Sequence, residues 1–257
     1  MNNSHRLSLT ALIDIPCISP GDDIQNIIEV GLDKTGIQLE SGDVIVVTHK
    51  IVSKLENRYV DLRNIIPTKL ALDLSEEVGK DPRLVQLILS ESVGVVAKKK
   101  GVLITEHRLG FVLANAGIDA SNIHQNKNND HVLLLPIDPD ETCKIVRQGL
   151  ELMHDVEIAV VINDSHGRAW RNGTVGVALG SSGLPALLDL RGSQDIFGRE
   201  LKVTEVGWAD ELASAASLLM GQGSEMRPII HIRGLSWADS NGKAFDLIRK
   251  KDDDLFR

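Results

Sequence analysis

The aliphatic run Ile158-Ala-Val-Val-Ile162, within the strand-like stretch 156–162, leads directly into the polar segment Asn163-Asp-Ser-His-Gly-Arg168. A short apolar run rich in β-branched residues is typical of a strand that is buried on both faces. Residues 44–47, Val-Ile-Val-Val, have the same character. We therefore expect a buried strand at each place, and a polar loop after residue 162.

The rest of the chain mixes helical and strand-like periodicity without a strict strand–helix–strand rhythm. This mixture predicts an α+β fold in which helices pack on mixed β-sheets. A weak strand at 173–179 is expected to end at Gly180-Ser-Ser-Gly183. The helices are predicted at 23–36, 68–79, 82–93, 138–154 and 204–220, and the other strands at 7–13, 93–98, 102–105, 111–114, 132–135 and 229–233.

Composition limits the function classes. The 257 residues carry 28 Lys and Arg against 36 Asp and Glu, a net charge of −8, so the chain lacks the basic field that binds nucleic acid. Apolar runs are too short to cross a membrane, and the first six residues lead into no signal-peptide core. Two cysteines are too few for a disulfide framework. These features predict a cytoplasmic protein that holds phosphate through local groups or a metal ion.

Several common catalytic motifs are absent. Gly31-Leu-Asp-Lys-Thr-Gly36 begins like a P-loop, but Ile37 and Gln38 stand where Lys and Ser or Thr are required. No Gly-x-Gly-x-x-Gly follows a strand, and Gly180-Ser-Ser-Gly183 is not a nucleophile elbow. The histidines show no metal pair at helical spacing. The sequence thus argues against a P-loop enzyme, a Rossmann dehydrogenase, a serine hydrolase and a zinc enzyme.

Three polar segments supply hard oxygen ligands on backbone that contains glycine: residues 115–122, 163–168 and 221–225. Mg²⁺ and Mn²⁺ prefer one or two carboxylates together with substrate phosphates and water. Asp119 and Asp164 are the natural carboxylate pair, and Ser165 and Gln222 are neutral oxygen donors. Cations for the remaining phosphate charge are Lys54, Arg168 and Arg171.

An ordinary structural explanation stands beside this one. Aspartate in a glycine-containing loop is most often an Asx-turn or a helix cap. Arginines such as Arg168 are usually surface residues, and Lys50 and Lys54 have the spacing of one solvated helix face. His166 is expected to be a neutral turn residue. From spacing alone, a metal–phosphate site and three ordinary turns are equally supported.

The same segments resemble the coenzyme F420-0:L-glutamate ligase family. The resemblance is carried by Asn115-Ala-Gly-Ile-Asp-Ala-Ser-Asn122, Asn163-Asp-Ser-His-Gly-Arg168, Met220-Gly-Gln-Gly and Val46-Val-Thr-His-Lys-Ile-Val-Ser-Lys54. It extends from Ile15-Pro-Cys-Ile-Ser-Pro-Gly to Ile230-His-Ile-Arg-Gly234, so it covers nearly the whole chain.

The resemblance implies a GTP-dependent ligase that adds L-glutamate to coenzyme F420-0 and extends it through γ-linkages. It implies Mg²⁺ or Mn²⁺, two ions per site, with K⁺ as an activator, and an intertwined homodimer. It implies a single ligase unit over residues 1–257, with two intertwined subdomains at about 1–95 plus 202–257 and at about 96–201. No nucleic acid or membrane partner is expected. A γ-glutamyl ligase for another acid and a non-catalytic guanine-nucleotide-binding protein remain the alternatives.

Carried over position by position, the resemblance makes Asp119 and Asp164 metal ligands, with Ser165 and Gln222 near a second metal. With Arg168, the two aspartates form the expected catalytic set. Gln222 lies in a loop less acidic than is usual in the family, and Gln is a weaker ligand than Glu. The expected guanine nucleotide site comprises Ile15, Pro16, Cys17, Ile18, His49, Lys50, Lys54 and Asn122.

Overall fold

The computed structural model describes residues 6–123, 130–238, 240 and 242–255. Its helices are α1 (Ile24–Thr35), α2 (His49–Leu55), α3 (Lys69–Val78), α4 (Pro82–Ser90), α5 (Pro139–His154) and α6 (Trp208–Met220). Its strands are β1 (Ser8–Ala11), β2 (Val44–Thr48), β3 (Tyr59–Asp61), β4 (Ser92–Lys99), β5 (Val102–His107), β6 (Val112–Ala114), β7 (His131–Leu133), β8 (Ala159–Arg168), β9 (Arg171–Ser182), β10 (Leu187–Asp189), β11 (Glu205–Gly207) and β12 (Ile229–Arg233). The α+β class is confirmed. No described helix is both long enough and apolar enough to span a bilayer.

Local signals place the ends of several helices as predicted. The Asp23 carboxylate accepts hydrogen bonds from the first free N–H groups of α1, and Gly36 ends that helix in the left-handed conformation with φ of 71°. Pro82 occupies the first turn of α4, where its missing N–H costs nothing. Thr68 caps α3 in the same way as Asp23 caps α1.

A five-stranded sheet in the order β1-β12-β2-β8-β9 forms the centre of the molecule. Val44 and Val46 face a core shared with α6, whereas Ile45 and Val47 face a core shared with α1 and α5. All four side chains are buried, which stabilises the fold by roughly 1.5–3 kcal/mol for each large aliphatic group. Since β2 and β8 are parallel, their carboxyl ends lie at one edge of the sheet, with Thr48 opposite Asn163.

A smaller layer lies beside this sheet and carries the segment that contains Asp119. Strands β4, β5 and β6 form a three-stranded antiparallel sheet, and α3 and α4 pack on its core residue Leu103. β7 pairs with β3 and also with Asp119, whose N–H and carbonyl bond to Leu133 at 2.9 and 2.8 Å. Two backbone hydrogen bonds therefore fix the Asp119 segment against β7.

The prediction of a loop at 163–168 is wrong, because these residues form the outer half of β8. Asp164, Ser165 and His166 pair with Val177, Gly176 and Val175 of β9. Polarity here reflects a two-stranded hairpin that extends into solvent rather than a turn. The polar stretch from Asn115 to Asp130 is also predicted to be a loop, and residues 124–129 of it lie outside the described residues.

β9 does not end at Gly180 as predicted but continues to Ser182. A Cβ at Gly180 would lie 2.4 Å from the Pro139 carbonyl oxygen, so glycine is needed there for the start of α5 to pack on the strand. The helix predicted from 204 begins only at Trp208, because residues 205–207 pair with β10.

Candidate active site

The candidate site lies at the sheet edge where β2 and β8 run side by side. β2 ends at Thr48, and α2 begins at the next residue, His49. The side chains of His49 and Lys50 therefore leave the chain at this edge, directly opposite the polar half of β8. The arrangement follows from the parallel pairing of two strands that are buried on both faces.

Asp164 is held between two histidines. Its Oδ1 lies 3.2 Å from Nε2 of His49, and its Oδ2 lies 3.0 Å from Nε2 of His166. The side chains are largely buried, with His49 2% exposed and Asp164 12% exposed. Burial alone would raise the pKa of Asp164, but the charges and hydrogen bonds of the two histidines hold it well below its ordinary value. Asp164 is therefore an ionised carboxylate in a fixed orientation.

Asp119 is held by a lysine and a serine. Its Oδ2 lies 2.7 Å from Nζ of Lys50, and its Oδ1 accepts hydrogen bonds of 2.7 Å from both the N–H and the hydroxyl of Ser121. Lys50 also donates to the Ser121 hydroxyl at 2.9 Å. Burial raises the pKa of Asp119, but Lys50 and Ser121 outweigh it and lower the pKa below the ordinary value.

The two aspartates thus contact consecutive residues. His49 contacts Asp164 and Lys50 contacts Asp119, although Asp119 and Asp164 belong to different layers. The predicted carboxylate pair is brought to one place in the structure.

A third segment joins the site through Asn122. Its carbonyl accepts a 2.9 Å hydrogen bond from Nζ of Lys54, and its Nδ2 donates at 3.1 Å to the carbonyl of Gly223. Asn122 has φ of 54°, in the left-handed region that Asn tolerates better than most residues. Gln222 is exposed and lies one residue before Gly223, so its loop is tied to the Asp119 segment.

The segment expected to bind nucleotide runs beside α2. Its neighbour Gly21 donates to the carbonyl of Leu55 at 3.1 Å. Burial lowers the pKa of Lys54. Within the segment, Ile15 is buried, Ile18 is partly buried, and Pro16 and Cys17 are exposed.

The two predicted arginines do not join the carboxylate cluster. Arg168 and Arg171 are exposed and face each other where β8 turns into β9. Ser165 is partly buried within β8, next to Asp164. Because successive strand residues face opposite sides of a sheet, the Ser165 side chain leaves β8 on the face opposite Asp164 and His166. Arg168 lies at the solvent end of the hairpin.

Two side chains lie in a different structural setting from the one that the sequence predicts. His166 is not a turn residue but a strand residue bonded to Asp164, and their i, i+2 spacing on one strand face was the available signal. A helix from residue 204 would have placed Asp210 in its second turn, but α6 begins at Trp208, so Asp210 lies in the first turn and accepts the N–H of Ala178 at 2.9 Å. Burial raises the pKa of Asp210.

These side chains fit a hard divalent cation whose remaining ligands come from the substrate. Among the described residues no three His, Cys, Asp or Glu side chains form a ready-made metal cluster. Mg²⁺ and Mn²⁺ need only one or two protein carboxylates when phosphates supply the other ligands. Asp119 and Asp164 are ionised, and they contact the consecutive residues Lys50 and His49.

Comparison with known proteins identifies relatives that match most of the chain. A sequence model of a family described as F420-0:Gamma-glutamyl ligase matches residues 12–234. The coenzyme F420:L-glutamate ligase of Methanocaldococcus jannaschii is 46% identical over 219 residues, covering 85% of this chain and 86% of the relative. The ligase of that name from Methanothermobacter thermautotrophicus is 42% identical over 253 residues, covering 98% and 99%. A third, from Methanococcus maripaludis, is 44% identical over 219 residues, covering 85% and 86%.

Proposed function

The chain belongs to the F420-0:gamma-glutamyl ligase family, and from that premise we propose that it joins L-glutamate to coenzyme F420-0 with GTP as co-substrate. The proposal includes extension by further γ-linked glutamates, two Mg²⁺ or Mn²⁺ ions per site, activation by K⁺ and assembly as a homodimer. It keeps F420-0, L-glutamate and GTP as the partners. The relatives' names support the ligation, and the site geometry supports phosphate chemistry.

One observation carries the proposal: the consecutive residues His49 and Lys50 hold two ionised carboxylates from different layers. Two partly buried carboxylates held by neighbouring residues repel each other unless cations neutralise them. Such a pair suits a site that receives divalent ions together with a triphosphate.

Amide formation from a carboxylate needs a better leaving group than oxide. In the proposed reaction, a carboxylate oxygen of F420-0 attacks the γ-phosphorus of GTP, and the bond from that phosphorus to the β-phosphate oxygen breaks, releasing GDP. The amino nitrogen of glutamate then attacks the carbonyl carbon of the acyl phosphate. Inorganic phosphate leaves, and the amino group loses a proton to solvent. Most of the rate gain would come from positioning and electrostatics.

Residues of the chain have distinct roles in this scheme. Asp119 and Asp164, with Ser165 and Gln222 at a second position, would hold the divalent ions, which when bound lower the repulsion between the triphosphate and the acceptor acid. Lys50 and Lys54 are point charges beside the expected triphosphate. Arg168 makes no salt bridge with the described residues, and we assign it to neutralise the phosphate charge that the metal ions and lysines leave. The segment Ile15 to Ile18, with His49 and Asn122, is assigned to the nucleotide.

Incubation of the purified protein with GTP, Mn²⁺, L-glutamate and F420-0, followed by mass analysis of the products, tests the proposal. We expect glutamylated F420-0, with phosphate released in equal amount, and faster turnover with GTP than with ATP. Glutamylation of another acid but not of F420-0 would contradict the acceptor. Tight GDP binding without ligation of any acid would indicate a nucleotide-binding protein instead.

A further inference from the structure

Asn163 is a buried polar residue that follows an aliphatic run and comes one position before Asp164. It is 4% exposed, and the residues of β8 before it, from Ala159 to Ile162, are all apolar and buried. Its side chain leaves the strand on the face toward α6, opposite the face that carries Asp164. Packing alone would favour an aliphatic group here, as at Val161 on the same face. The amide therefore needs an explanation other than packing.

Stability does not explain the Asn163 amide either. Its Oδ1 is buried and has no hydrogen-bond partner among the described residues. A Cβ on Gly176 would lie 2.7 Å from that oxygen, so glycine is needed there to make room for it. A buried acceptor without a partner destabilises the folded state, and an apolar side chain of the same shape would avoid that cost. Local violations of this kind are expected at functional sites.

The nitrogen of the same amide bonds to the last turn of α6. Nδ2 of Asn163 donates to Oγ of Ser217 at 3.1 Å and lies 3.3 Å from Sδ of Met220, the last residue of the helix. The next residue, Gly221, has φ of 74°, a conformation that favours glycine, and it begins the loop at 221–228. Asn163 thus fixes the end of the helix from which this loop leaves.

The same loop is tied to the candidate site at two later points. The carbonyl of Gly223 accepts a hydrogen bond from Nδ2 of Asn122 at 3.1 Å, which joins the loop to the segment that contains the first aspartate. The carbonyl of Pro228 accepts the N–H of Thr48 at 2.9 Å, which joins the loop to the end of β2. With the bond from Asn163, the start, the middle and the end of the loop are each held at the sheet edge.

We propose that Asn163 is a positioning residue for the second cation, because it holds the last turn of α6 so that the loop presents Gln222 on the face of the sheet that carries Ser165. Ser165 comes two positions after Asn163 on β8, so its side chain also lies on the α6 face. The inference rests on the proposed function, which assigns Ser165 and Gln222 to that ion. Consecutive residues of β8 then serve opposite faces of the sheet, Asp164 through its two histidines and Asn163 through α6.

Hydrogen exchange and Mn²⁺ binding of the full chain test the inference. Asn163→Leu keeps the shape of the side chain but loses both contacts with α6, and Ser217→Ala removes one of them from the other side. We expect the bonded amides of Gly221 and Gly223 to exchange at least about fivefold faster in each variant, the effect of losing one hydrogen bond. With GDP present, each variant should bind the second of two Mn²⁺ ions at least about fivefold more weakly, and the first with unchanged affinity.

Ser214→Ala is the matched control. Ser214 lies one turn earlier in α6, and its hydroxyl donates to the carbonyl of Gly176 at 2.7 Å. The control variant therefore also loses one bond between the helix and the sheet, but not at the end of the helix. A role limited to the stability of α6 would affect Ser214→Ala and Ser217→Ala equally, in exchange and in Mn²⁺ binding, and that result would overturn the inference.

The outcomes separate this inference from the proposed function. An unchanged affinity for the second Mn²⁺ in folded Asn163→Leu and Ser217→Ala overturns the inference, whatever the exchange rates, while ligation by the wild-type protein still supports the function. If Asn163→Leu fails to fold, the result for Ser217→Ala decides by itself. If the wild-type protein ligates F420-0 with a single Mn²⁺, there is no second ion to position, and the inference falls alone. If it neither binds Mn²⁺ with GDP nor ligates F420-0, the inference and the function fall together.

Discussion

Nζ of Lys50 lies 2.7 Å from Oδ2 of Asp119, although 68 other residues separate them in the chain. The contact joins the first turn of α2, at the edge of the central sheet, to a segment carried by the smaller layer. Because His49 at the same turn contacts Asp164, one short helix fixes the relative position of both carboxylates. The chemistry we propose depends on this arrangement.

Replacement of Asp119 by Asn should leave the fold intact and lower kcat by at least about 100-fold, the usual loss when a charge-stabilising group is removed from a reaction centre. The matched control is Asp189→Asn, since Asp189 is half exposed and pairs only locally, with Arg191. Circular dichroism and turnover measured on the same preparations check the prediction. A well-folded Asp119→Asn protein with near-normal turnover would remove this ligand.

Replacement of His166 by Phe should keep the aromatic contact with Phe111 but remove the hydrogen bond to Asp164. We expect turnover to fall by about 10–100-fold, as when a partner that orients a metal ligand is lost. His154→Phe is the control, because His154 pairs with Glu29 at 2.7 Å outside the site. Equal turnover in the two variants would show that His166 does not orient Asp164.

Asp43 should control acid stability. The side chain is 1% exposed and lies 2.7 Å from NH2 of Arg233 and 2.9 Å from Nε2 of His231. Burial raises the pKa of Asp43, but the contacts with Arg233 and His231 outweigh it and lower the pKa far below the ordinary value. Because the folded-state pKa is depressed, the stabilisation is complete above the unfolded-state pKa of about 3.9 and is lost as the pH falls below it.

Asp43→Asn should therefore lower the free energy of unfolding at pH 7 by about 1–3 kcal/mol, the usual cost of weakening hydrogen bonds to a charged group, because Arg233 is partly exposed and keeps its contact with Glu40. The variant should also lose less stability than the wild type between pH 5 and pH 3. Urea unfolding at the three pH values measures both effects. Parallel stability curves for the two proteins would show that Asp43 makes no contribution that depends on pH.

Gly180→Ala tests the path of β9. The added methyl group would lie 2.4 Å from the Pro139 carbonyl oxygen, so we expect a loss of about 1–3 kcal/mol in the free energy of unfolding. Gly167→Ala is the matched control in the same hairpin, where nothing lies within 4 Å of the added atom. If the two variants were equally stable, the start of α5 would not pack on the strand as described.

Features set by neighbouring residues could be predicted from sequence. The ends of α1 depend on Asp23 and Gly36 alone, and the buried run of β8 is evident from its aliphatic residues. The polar half of β8 could not be predicted, because it is a strand only through pairing with β9. Its local composition is that of a loop.

Part of the candidate site could be predicted from the sequence. The spacing of oxygen ligands and the family resemblance both pointed to Asp119 and Asp164. Neither indicated that His49 and His166 hold Asp164, because the first contact joins residues 115 positions apart and the second depends on strand geometry.

Binding of Mn²⁺ in the presence of GDP tests most directly whether Asp119 and Asp164 serve one cation site. Electron paramagnetic resonance of free Mn²⁺ would be titrated with the wild-type protein, with Asp119→Asn and with Asp164→Asn. We expect tight binding by the wild-type protein and at least about tenfold weaker binding by each variant, since each loses one of two carboxylate ligands. Wild-type Mn²⁺ affinity in both variants, each shown to be folded, would contradict the shared site.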